Sequence, residues 1–118
     1  MALVRSNLAG ATPTPTAGTL ITQNNNPSGG YYDIEGDNLS FALVFGKNGT
    51  ITDGVLESAA GAIAITDLTT NVNYGNTSNI NIDSATSTKI TIHFIGGSMT
   101  ACQVYVIGDN VTLTHRAS

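Results

Sequence analysis

The chain of 118 residues contains no tryptophan, one cysteine and few charges of either sign. A single cysteine, Cys102, excludes an intrachain disulfide. Set among apolar neighbours, it reads as a small buried hydrophobe rather than a redox or metal thiol. The chain is therefore not expected to be a disulfide-stapled secreted scaffold. No apolar run approaches the length of a membrane span. The opening MALVRSNLAG has one arginine and lacks the long apolar core of a secretory leader, so synthesis in a cytosol is expected, with no membrane partner.

Charged residues make up only 10% of the sequence, against about 25% in ordinary soluble domains. The basic residues are Arg5, Lys47, Lys89 and Arg116, scattered along a chain of net charge -4. Nucleic-acid binding needs clustered Lys and Arg to displace condensed counterions, so it is not expected. The surface must instead be built from Thr, Asn, Ser and Gly. Such a surface is buried between subunits at low desolvation cost, because few charges need partners.

Catalytic signatures are also missing. GGSMT contains Ser98 but is not the strained elbow that exposes a hydrolase serine. No glycine loop opens a helix to cradle phosphate, and nothing indicates a pair of glycosidase carboxylates. Asp33, Glu35 and Asp37 alternate in DIEGD and would share one face of a strand, a pattern open to Ca²⁺. No EF-hand glutamate follows, and a solvated strand edge accounts for the same residues. His93, Cys102 and His115 could meet on neighbouring strands as zinc ligands, but His93 falls on the opposite face. No enzyme activity, cofactor or metal is expected.

What the sequence does contain is alternation and turn chemistry. TLIT at 19–22 and YYDIEG at 31–36 read as short strands, separated by the turn-forming QNNNPSGG. LSFALVFG places Phe41, Leu43 and Phe45 on one face. Asn48-Gly49 predicts a hairpin pairing residues 41–45 with 50–56. A strand is expected at 62–68, with Ile63 and Ile65 on one face, and short strands around a turn at 75–78. In the last third, Ile90, Ile92 and Phe94 oppose Lys89, Thr91 and His93. Cys102, Val104 and Val106 oppose Gln103, Tyr105 and Ile107, and Val111 and Leu113 point inward. With turns at Gly96-Gly97 and Gly108-Asp109-Asn110, these three segments predict a β-meander. No internal repeat of fixed period is apparent. The fold class expected is all-β: a small antiparallel sandwich or barrel of about eight short strands over residues 19–118.

Residues 1–18 differ. Pro13 and Pro15 in ATPTPTAGT fix their own φ and hold the preceding threonines extended. This segment is expected to be an extended N-terminal arm, either a plain tail or a strap laid on a neighbour. Leu3, Val4 and Leu8 would be its apolar anchors, and Arg5, Pro13 and Pro15 would share in partner binding.

An arm, MALVRSNLAGATPTPTAGT, leading into a charge-poor β body typified by KITIHFIGG and ACQVYVIGDNVTLTH, resembles the small structural proteins of tailed bacteriophages. It is most similar to capsid decoration, or cement, proteins. The resemblance implies a structural protein on the outer surface of a virion, with the major capsid protein as partner, and a homo-oligomer, with a trimer favoured. The arm would then contribute strand addition and apolar anchoring, multiplied by oligomerisation. Two other readings stand beside it. One is a carbohydrate- or receptor-binding fibre sandwich using Tyr31, Tyr32, Tyr74 and Tyr105 as stacking rings. The other is a tail-tube or connector subunit.

Overall fold

The structure, a computed structural model, describes residues 18–52, 54–57, 61–75 and 78–117. Among these the regular structure is entirely β. The strands are β1 (Thr19–Gln23), β2 (Tyr31–Lys47), β3 (Ala62–Asp67), β4 (Val72–Gly75), β5 (Ile80–Ala85), β6 (Lys89–Phe94) and β7 (Ala101–Arg116). All pairings are antiparallel.

Two long strands organise the rest. β2 has 17 residues and β7 has 16, and they pair from Tyr31↔Arg116 to Lys47↔Ala101. The register breaks between Glu35 and Asp37 and again between Asp37 and Phe41. Irregularities of this kind bend a strand and sharpen its twist. On one side of the bend, the first half of β2 is flanked by the end of β7 and by β6, which also carries β5. On the other side, the strand order is β1-β7-β2-β3-β4. One seven-stranded sheet is thereby bent into two layers.

The layers meet through unequal side chains. One contributes Tyr32, Ile34, Ile80, Ile90, Ile92 and Phe94, all at most 1% exposed. The other contributes mostly small groups: Ala42, Val44, Ala62, Ala64, Cys102, Val104 and Val106. Leu39 fills the bend. The layers approach closely at Gly46, where a Cβ would lie 2.6 Å from the Phe94 ring. Large residues on one layer against small ones on the other keep a thin core closely packed. Each large aliphatic side chain buried this way is worth about 1.5–3 kcal/mol.

The all-β antiparallel class holds, with seven strands among the described residues. YYDIEG and LSFALVFG are one bent strand, as are ACQVYVIGDN and NVTLTHR, and no strand forms among the described residues of 50–56. Gly108-Asp109-Asn110 is accordingly not a turn, and the expected meander does not form. β6 and β7 do not pair with each other but flank β2 on opposite sides. Among the described residues the hairpin around Asn48-Gly49 does not form either. β2 pairs there with β3, and Gly49 instead exchanges bonds with the Thr100 side chain. Local turn chemistry lost to the longer-range pairing of two half-buried strands.

Candidate interaction surface

The register places thirteen side chains of the β1-β7-β2-β3-β4 layer in three cross-strand rows on its outward face. The central row crosses all five strands: Leu20, Tyr105, Leu43, Ile65 and Tyr74. Beside it run Ile107, Phe41, Asp67 and Val72 on one flank, and Thr22, Gln103, Phe45 and Ile63 on the other. Paired residues in antiparallel strands project to the same face, so each row is one contiguous strip.

This face reverses the usual distribution of size. Phe41, Leu43 and Phe45 lie together as expected, as do Ile63 and Ile65, but on the side away from the core. The inward positions between them are Ala42, Val44, Gly46, Ala62, Ala64 and Thr66. The larger side chains are half-buried and belong neither to the buried core cluster nor to the residues packed against it. Val72 and Tyr74 extend the apolar strip onto β4, where they are 50% and 57% exposed.

Two margins of the face are pinned. Gln103 is fully buried, its Oε1 accepting from the Glu57 N–H at 2.9 Å and its Nε2 donating to Thr22 Oγ1 at 3.0 Å. Lys47 Nζ pairs with Glu57 at 2.8 Å. At the β1 edge, the Gly18 N–H donates to the Tyr105 hydroxyl at 3.0 Å, and a Cβ on Gly18 would fall 2.3 Å from the ring. The chain therefore passes onto Tyr105 at the point where residues 1–17 join the domain. Arm residues Leu3, Val4, Arg5, Leu8, Pro13 and Pro15 lie outside the described residues.

The outward face of the other layer is polar. The Tyr31 ring is stacked between His93, at 4.2 Å between centroids, and the Arg116 guanidinium, at 4.4 Å. Asp33 is buried beneath, accepting from Arg116 Nε at 2.7 Å and from the Thr91 hydroxyl at 3.0 Å. The Arg116 hydrogen bonds hold the Asp33 carboxyl below the usual carboxylate range against the opposing effect of burial, with Thr91 adding to the lowering.

The DIEGD carboxylates thus go to separate partners: Asp33 to Arg116, Glu35 to Lys89 at 3.6 Å, and Asp37 to Asn110 at 3.0 Å. His93 lies on the polar outer face, whereas Cys102 is in the core. Burial pushes the Cys102 thiol up to about 12. The tyrosines are likewise dispersed. Tyr32 is fully buried, Tyr31 has both ring faces covered, Tyr105 carries Gly18, and Tyr74 alone of the four is prominently exposed. They form no common platform for a sugar ring. No pocket opens among the described residues.

The outward apolar face was hidden in the sequence by its own regularity. Alternation gives two faces but not their direction, and large residues are ordinarily assigned to the core. The signal was composition: the partners in the alternation are Ala, Gly and Thr, too small to build a core alone. The chain matches no known protein family, no curated protein and no solved structure.

Proposed function

We propose that the chain is a structural virion protein that decorates and stabilises a phage capsid, binding the outside of the major capsid protein lattice as a homo-oligomer. The observation that carries this reading is the outward face just described. It puts the bulkiest aliphatic and aromatic residues of a five-stranded layer away from the core, with one charged residue, Asp67, among its thirteen positions. Apolar surface of that kind marks protein–protein contact. The low overall charge supports the same reading, since little desolvation opposes burial against a lattice. The arm of residues 1–18 would supply the tether, through Leu3, Val4 and Leu8. The dispersed tyrosines give less support to a sugar-binding fibre tip.

The test is co-sedimentation of the purified full chain with shells of the major capsid protein from the genome that encodes it. Saturable pelleting is expected, weakened at least tenfold by combining Leu3→Ser, Val4→Ser and Leu8→Ser. A chain that stays in the supernatant at every shell concentration overturns the reading.

A further inference from the structure

We propose that the outward face of the β1-β7-β2-β3-β4 layer is the docking surface for a second copy of this chain, two such faces packing across a two-fold axis. This rests on the reading above to the extent that a homo-oligomer is part of it, and it names a two-fold contact in place of the trimer that the resemblance implies.

Composition selects a second copy as the occupant. The fully buried parts of interfaces, and homodimer interfaces in particular, are rich in apolar residues and poor in charge. The central row, Leu20-Tyr105-Leu43-Ile65-Tyr74, has no charged member. Across a two-fold axis the same patch meets itself, so any uncompensated charge near the axis faces its own sign. The one charge in the rows, Asp67, stands at a flank and is occupied by the N–H and hydroxyl of Thr69. Lys47, at the margin, is neutralised by Glu57. A heterologous partner recognised by charge complementarity would find almost nothing on this face to read.

Shape and size agree. Twisted antiparallel sheets pack face to face with their strand directions about 30° apart and side chains interdigitating over about 10 Å. Half-buried, outward-facing Phe41, Leu43 and Ile65 suit that arrangement. Five strands at about 4.8 Å spacing and on average about five residues at about 3.3 Å rise span about 400 Å² of flat sheet. Side-chain relief raises the contact area above this flat footprint, toward the ~800 Å² per partner of a standard stable interface.

The test is the mass of the full chain in solution, by sedimentation velocity and light scattering from about 1 to 100 µM. A dimer of about 24 kDa, twice 12.1 kDa, is expected. The Leu43→Thr/Ile65→Thr variant keeps strand-compatible side chains and should dissociate at least tenfold more readily, with an unchanged far-ultraviolet spectrum. Tyr74→Asp, at an exposed position on which the core does not depend, should also weaken the dimer. Thr112→Lys, at an exposed position opposite Glu35 on the other layer, should leave it intact. A wild-type monomer at 100 µM overturns the proposal, as does an assembly that both face variants leave as tight as before. A monomer that still pellets with shells overturns this inference and the homo-oligomer part of the reading above but leaves capsid binding standing, whereas a dimer that does not pellet overturns capsid binding alone.

Discussion

Asp37 and Asp109 face each other across β2 and β7, and each accepts a hydrogen bond from the asparagine that follows the other. Asn38 Nδ2 reaches Asp109 at 3.2 Å, and Asn110 Nδ2 reaches Asp37 at 3.0 Å. Both asparagines adopt left-handed backbone, with φ of 53° and 54°. The tripeptide Gly-Asp-Asn occurs at 36–38 and again at 108–110, and the two copies form a reciprocal corner. Neither glycine has space for a side chain: a Cβ at Gly36 would lie 2.7 Å from the Asp109 carbonyl oxygen, and one at Gly108 would lie 2.5 Å from Leu39. The Gly36 and Leu39 amides donate to the Thr88 and Ser87 carbonyls of the β5–β6 turn, which braces the corner from outside. This corner folds the long β2–β7 ribbon over and gives the chain both its core and its outward apolar face.

Asparagine tolerates positive φ at modest cost, whereas alanine does not. Asn38→Ala or Asn110→Ala should therefore destabilise the fold by about 1–2 kcal/mol each. Asn→Gly at the same positions should cost less, because it keeps the backbone and loses only a solvent-exposed hydrogen bond. Urea denaturation of the four variants checks this. Equal losses for Ala and Gly would mean that the side-chain bonds, not the backbone, hold the corner.

A second expectation concerns how closely the two layers approach. Gly46 lies opposite Phe94, which is fully buried and cannot swing aside, with Met99 Sδ 3.3 Å from the same Cβ position. Gly46→Ala should overpack the core and destabilise by about 1–3 kcal/mol. Phe94→Leu costs stability by itself, but it should recover part of the Gly46→Ala loss. A double-mutant cycle should thus give a favourable coupling, and strictly additive losses would place the strain elsewhere.

The same residues explain what was legible in the sequence. Strands with a clean period of two, such as 62–67 and 89–94, were readable because one face of each is buried. The pairing of those strands was not. Asn48-Gly49 and Gly108-Asp109-Asn110 both carry hairpin chemistry, yet one lies in a loop and the other bends a continuous strand. Local φ preferences say that the chain turns or bulges, and only partners distant in sequence decide which. The repeated Gly-Asp-Asn was the available clue, since two identical irregularities at matched positions of long strands fit a shared corner better than two turns. The candidate surface was half legible: the grouping of Phe41, Leu43 and Phe45 was visible, but not their direction. Six residues named for the arm, from Leu3 to Pro15, lie outside what the structure describes.

Asp33 and Arg116 make stability depend on acidity. The folded carboxyl is held below the ordinary value, so its contribution is present above the unfolded carboxylate range of about 3.9 and is lost as pH falls through the lower folded value. Arg116→Gln removes the main cause of the lowering and leaves Thr91 as the remaining charge-stabilising donor. The variant should be less stable than wild type at pH 7, and the gap should close on acidification below pH 4. The Asp33 carboxyl carbon, followed by NMR, should titrate at higher pH in the variant. An unchanged midpoint would remove Arg116 as the cause.

Cys102 should report on opening of the core. Its thiol is fully buried in β7 opposite Gly46 and beside Tyr32, and burial raises it from 9.0 to about 12. The thiolate is the reactive form, so at pH 8 a disulfide reagent should modify the native protein no faster than the core opens. Labelling should then slow in proportion to any stabilising substitution and quicken with Gly46→Ala. The raised thiol also sets an alkaline limit. Because the unfolded thiol ionises first, stability should decline as pH rises above about 9 toward 12, and Cys102→Ala should lessen that decline. Rapid labelling of the native chain at pH 8, at a rate indifferent to stability, would show that the thiol is reached without unfolding.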